Sequence, residues 1–98
     1  MTDAVDLLSA LAEPTRLAAV RLLWDGREHC VCELMRLLGV SQSRMSRHMA
    51  TLKSVGLVRD RRDAQWVRYR RCENLPDHVT ALVTAALALS TDSQRNAA

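Results

Sequence analysis

The stretch that decides the fold reads Gly39-Val40-Ser41-Gln42-Ser43-Arg44-Met45-Ser46-Arg47-His48-Met49-Ala50-Thr51-Leu52-Lys53-Ser54-Val55-Gly56. Met45, Met49, Leu52 and Val55 recur at the three- and four-residue intervals of a single helical face. Ser41 stands where its hydroxyl can accept from the unpaired N–H groups of a first turn, and Gly56 marks a stop. The spacing therefore predicts a helix over 42–54. Its other face carries Gln42, Ser43, Arg44, Ser46, Arg47 and Thr51, all short polar or basic.

Just upstream, Glu33, Leu34, Leu37 and Leu38 restore a helical period that Gly39 closes, leaving only Val40-Ser41 as a link. This predicts helix, sharp turn, helix over about 31–55. A second helix of that kind fits the major groove and shows its N-terminal side chains to base edges. The candidate DNA contacts are Gln42, Ser43, Arg44, Ser46 and Arg47. Gln and Arg bond a purine edge at two points, Ser bonds without strong preference, and for either arginine a phosphate contact alone stays equally open. His48 is added as a phosphate contact, against the alternative of a solvated or capping histidine.

Downstream, residues 57–62 and 66–71 favour strands on either side of Asp63-Ala64-Gln65, a loop without the glycine that a tight turn prefers. A hairpin straight after a groove-reading helix is a wing, placed at about 57–71. Arg61, Arg62 and Arg68, nearest its tip, are the candidate phosphate contacts, since strand alternation keeps the six wing arginines from sharing one face.

Further out, Ala4, Leu7, Leu8 and Leu11 predict a first helix, and Pro14, at home in a first turn, opens a second that Asp25-Gly26 ends. Beyond Pro76, Val79, Leu82, Val83, Ala86 and Leu87 predict a last helix to about residue 90, with a polar, frayed tail over 91–98. Its apolar stripe has nothing evident to cover in so small a domain. Leu7, Val79, Leu82, Val83 and Leu87 are therefore candidates for contact with a second copy. The expected architecture is mainly α with a small β-hairpin wing, a winged helix-turn-helix of order α-α-α-α-β-β-α, forming a homodimer.

Bulk properties agree. The 98 residues suffice for one domain, and with no Phe the core should be aliphatic. From Ser41 to Arg71 nine basic residues face only Asp60 and Asp63, a local balance of +7, while the remainder carries −4. One contiguous third holds the positive field, as a polyanion-binding surface requires. The acidic start differs from a secretion signal and the longest apolar run is too short for a bilayer, so no membrane partner and a cytoplasmic location are expected. No His and acid are arranged as a catalytic triad, and no enzyme activity is expected.

Two of three cysteines stand one residue apart in Glu28-His29-Cys30-Val31-Cys32-Glu33-Leu34-Met35. Residues two apart on an α-helix diverge by about 200°. In an extended segment they share a face. The pair can grip one soft ion only where the backbone is, or becomes, extended, so that ligation should unwind or tilt the first turn and move the groove-reading helix with it.

Residues 10–23, "ALAEPTRLAAVRLL", followed by residues 30–71, "CVCELMRLLGVSQSRMSRHMATLKSVGLVRDRRDAQWVRYRR", resemble the ArsR/SmtB family of dimeric winged-helix metalloregulatory repressors over roughly residues 8–76. The "CVCEL" box is similar to that of the arsenite-sensing branch. The resemblance implies a repressor that leaves double-stranded operator DNA when As(III) or Sb(III) binds its thiolates, with no catalytic cofactor. That branch usually has a third Cys three residues after the second, where this chain has Met35. Winged-helix domains commonly pair the second wing strand with the segment before the helix-turn-helix, so Cys72 is expected beside Cys30, completing a Cys30, Cys32, Cys72 site. Alternatives are a redox sensor linking Cys72 to Cys30 or Cys32, and a copper(I), cadmium or zinc response using Met35 or His29. The zinc reading is the weaker, because the last helix offers only Asp77-His78.

Overall fold

The structure is a computed structural model that describes residues 3–97, with side chains described to residue 89. Five helices and three strands follow in the order α1 (Ala4–Leu11), α2 (Pro14–Leu23), β1 (His29–Cys30), α3 (Val31–Leu38), α4 (Gln42–Ser54), β2 (Val58–Asp63), β3 (Trp66–Arg71) and α5 (Asp77–Ala97). This is a winged helix-turn-helix. The expected order gains one short strand, β1, because His29 and Cys30 pair antiparallel with Tyr69 and Arg68 of β3. The sheet order is β1-β3-β2.

Local chemistry sets each boundary. Asp3, Glu13 and Ser41 cap α1, α2 and α4 by accepting from the N–H groups of Asp6, Arg16 and Arg44. Gly39, at φ 68° and ψ 34°, takes the left-handed conformation that ends α3, and its N–H bonds the Met35 carbonyl at 2.9 Å. The wing turn is tighter than expected: Asp63 pairs directly with Trp66, leaving only Ala64 and Gln65, and Ala64 accepts φ 57° without being glycine.

Leu23, Leu34, Met45, Met49, Leu52, Leu57, Val20, Val31 and Val83 are the largest of the fully buried side chains around which the elements pack. Here the expectation for α5 needs correction. Leu7, Val83 and Leu87 lie inside this chain's own core and so do not face outward, while Val79 and Leu82 are partly buried against it. The core of a short aliphatic domain has room for the α5 stripe after all. The apolar side chains that α1 and α5 do turn outward are Val5, Leu8 and Leu89, at 71%, 50% and 70% exposure. Helix α5 also continues past residue 90 to Ala97, since nothing after Pro76 is Gly or Pro. The expected frayed tail is thus helical as far as the described residues reach, and Ala98 lies outside them. Among the described residues no helix is long and apolar enough to cross a membrane.

Candidate nucleic-acid interface and dithiol site

Burial of Met45, Met49 and Leu52 fixes the rotation of α4, and that rotation turns Gln42, Ser43, Arg44, Ser46 and Arg47 to solvent. His48 does not join them. It is mostly buried against α2, its Nδ1 3.3 Å from Arg16 Nη1 and 3.9 Å from Glu13 Oε1. A guanidinium only donates, so Nδ1 accepts here and His48 serves the α2–α4 contact rather than a phosphate.

The wing arginines divide by partner. Arg61 makes a two-point pair with Glu28, both contacts at 2.8 Å. Arg68 bonds Asp63 at 2.8 Å, Arg59 meets Glu73 at 3.3 Å, and Arg71 lies 4.3 Å over the Trp24 ring. Among the described residues, Arg44, Arg47 and Arg62 make no ion pair. Of the three arginines expected at the wing tip, only Arg62 is therefore uncommitted, because the acids on and beside the hairpin neutralise the other two.

The two near cysteines meet without disturbing α3. Cys30 is the N-cap of that helix, extended at φ −66° and ψ 143°, and Cys32 lies in the first turn. The Cys32 N–H donates to Cys30 Sγ at 3.3 Å, the Cα atoms are 5.2 Å apart, and the sulfurs are joined as a disulfide. The extended residue that the spacing demands is thus supplied by the cap position, and the helix need not unwind for the sulfurs to converge. A helix N-terminus also favours a thiolate, through its unpaired N–H groups and its dipole.

Cys72 is not brought to them. Cys30 pairs with Arg68 and His29 with Tyr69, so Cys72 lies four residues along the chain from the partner of Cys30 and past the last paired position of β1. Its N–H is bonded to the Leu57 carbonyl at 2.9 Å. Burial pushes its thiol pKa up, against the neighbouring charge of Arg59 and helped by Glu73. Among the described residues, no three His, Cys, Asp or Glu side chains are gathered to hold a metal ion. The expected three-sulfur site fails on register: strand β1 begins too late to reach Cys72.

Two features escaped the sequence. His29, weighed above only as a possible metal ligand, is mostly buried between two carboxylates, Nδ1 on Glu33 and Nε2 2.9 Å from Asp25. Burial works to lower its pKa, but the hydrogen bonds to Glu33 and Asp25 prevail and raise it. The repeated four-residue spacing was the available signal, masked because it crosses a loop, a strand and a helix start. The second feature is Glu28, whose carboxyl the Arg61 guanidinium holds below the usual range. No local pattern joins residues 33 positions apart.

The chain's resemblances agree with this geometry. Residues 13–60 match the model of the bacterial regulatory protein arsR family. The chain is 43% identical over 87 residues to the arsenic resistance transcriptional regulator ArsR2 of Pseudomonas putida, covering 89% of this chain and 76% of that protein. It is 39% identical to the arsenical resistance operon repressor of Escherichia coli, covering 84% and 70%. An SmtB repressor of Mycobacterium tuberculosis is 38% identical, covering 87% and 60%. Among solved structures, HlyU from Vibrio cholerae superposes with a TM-score of 0.74 at 38% identity, covering 88% of this chain and 89% of that one. The homodimeric winged helix-turn-helix DNA-binding domain Mb0332 from Mycobacterium bovis does so with a TM-score of 0.71 at 27% identity, covering 90% and 78%. These relatives are regulators rather than enzymes. The match over residues 13–60, with 43% identity to a regulator of which 76% is covered, makes the chain a member of the arsR family of bacterial regulatory proteins.

Proposed function

We propose that this protein is a cytoplasmic, homodimeric repressor that binds double-stranded operator DNA and releases it when As(III) or Sb(III) is held by the Cys30 and Cys32 thiolates, the bonded pair first being reduced to the dithiol by two electrons from a small thiol. The observation that carries the reading is the meeting of two sulfurs at the N-terminus of α3, the helix that packs on α4. Soft thiolates select soft ions, and the N-terminus of a helix is a place that favours a thiolate. Gln42, Ser43, Arg44, Ser46 and Arg47 read the major groove, and Arg62 meets the backbone from the wing. Val5, Leu8 and Leu89, apolar and exposed, support pairing of two copies through α1 and α5, which sets two α4 helices on successive grooves. With Cys72 apart, a third ligand to the metalloid comes from solvent or a small thiol.

The test uses a duplex selected by this protein from a random pool and follows its release by fluorescence anisotropy. Arsenite should release the wild-type chain and leave the Cys30→Ser and Cys32→Ser variants bound. Equal release by all three would end the proposal.

A second reading has an observation of its own, the bonded sulfurs. Two thiols can give two electrons and two protons to a hydroperoxide, yielding a disulfide, an alcohol and water. The redox pair would then be Cys30 with Cys32, not Cys72, and peroxide rather than arsenite would release the duplex.

A further inference from the structure

Three residues stand in a row across the sheet: Cys30 of β1 opposite Arg68 of β3, and Arg68 opposite Arg61 of β2. Directly opposed residues project to the same face of a sheet, so the cysteine at one edge and the arginine at the other share a surface. Glu28, two residues before Cys30, reaches over that surface to Arg61 with both carboxylate oxygens. The segment carrying the dithiol is therefore fixed to both wing strands, to β3 by backbone pairing and to β2 by this bridge. Since β1 is only two residues long, its ladder has few hydrogen bonds, and the two-point Glu28–Arg61 contact adds a second tie between this segment and the wing.

We propose that the Glu28–Arg61 bridge is the coupling contact of this repressor, carrying a change at Cys30–Cys32 into the wing so that wing and groove-reading helix leave DNA together. The inference rests on the dithiol being the sensing site. Glu28 is then a positioning residue that touches neither ligand nor DNA. Arg61, bound to it, anchors the wing instead of meeting phosphate. Any ligand held by Cys30 sets the backbone of β1, and β1 sets where Glu28 can stand. When Glu28 shifts, Arg61 and β2 shift with it, and β2 carries Arg62 in its adjacent position.

The test compares the wild-type chain with E28A, R61M and E28A/R61M. Operator affinity is measured with and without sodium arsenite, and arsenite binding is followed separately by thiolate-to-arsenic ultraviolet absorption. E28A should bind arsenite within about twofold of wild type yet lose about fivefold or more of the ratio between the two operator affinities, and the double variant should lose no more than either single one. An exposed pair contributes little to stability, so E28A should fold; E28Q, of the same shape without the charge, gives the same readout should E28A melt early. A smaller loss in E28A with wild type responding normally overturns this inference alone, as does a double variant whose losses multiply. A wild-type chain that ignores arsenite overturns the sensing site and the coupling contact together.

Discussion

The Cys32 N–H donates to the Cys30 sulfur at 3.3 Å, across the first turn of α3. Two cysteines separated by one residue would diverge on a continuous helix, yet here they converge because one is the cap and the other is already helical. The cost usually attached to such a grip, a broken first turn, is absent. What remains for a ligand to alter is the position of β1 and the angle at which α3 meets α4.

The placement of Cys72 beyond the reach of β1 predicts that Cys72→Ser keeps its response. The arsenite concentration giving half release of operator should stay within about threefold of wild type, well below the cost of losing a charged ligand. In a Cys30→Ser/Cys32→Ser background, the remaining thiol should alkylate slowly at neutral pH, with its rate inflecting above the ordinary 9.0, since burial is the main force raising it.

The wing arginines should differ in salt dependence. Arg62→Ala removes an uncommitted cation and should reduce the slope of log affinity against log salt by about 1 per site. Arg68→Ala, whose guanidinium already answers Asp63 at 2.8 Å, should change the slope by less than half as much. Titrating operator affinity against salt for both variants measures this directly.

His29 should make folding stability depend on pH. Its pKa lies above the ordinary 6.5 in the folded chain, through Glu33 and Asp25 prevailing over burial. Its stabilisation is then fully present below pH 6.5 and disappears as pH rises through the folded value. The difference in melting temperature between wild type and His29→Gln should be larger at acid pH than at alkaline pH, and a difference that grows with pH would contradict the carboxylate clamp.

Two substitutions at left-handed positions should act with opposite signs. Gly39→Ala should destabilise by about 1 kcal/mol, wholly from backbone conformation, since an added Cβ would meet nothing within 4 Å. Ala64→Gly, at φ 57° in the wing turn, relieves strain and should stabilise by about 0.5–1 kcal/mol. Urea denaturation of both variants checks the pair.

The helix-turn-helix was legible because Met45, Met49 and Leu52 carry an unbroken period between Ser41 and Gly56, and local spacing is what a sequence displays best. The outward residues of α4 followed from the same period. The wing arginines were not legible in the same way, because their role turns on Glu28, Asp63 and Glu73, which are placed by strand register. Cys72 failed for that reason too: a shift of four residues along β3 separates a shared site from none. Leu7, Val83 and Leu87 were given outward because a stripe in sequence records only that a face is buried, not whether this chain or a second copy buries it.

The most direct measurement is operator anisotropy during titration with arsenite, for wild type beside the Cys30→Ser/Cys32→Ser protein. Sensing by the capped pair predicts full release of the first and none of the second, with both binding the duplex equally well beforehand. Release of the doubly substituted chain at the same arsenite concentration would contradict it.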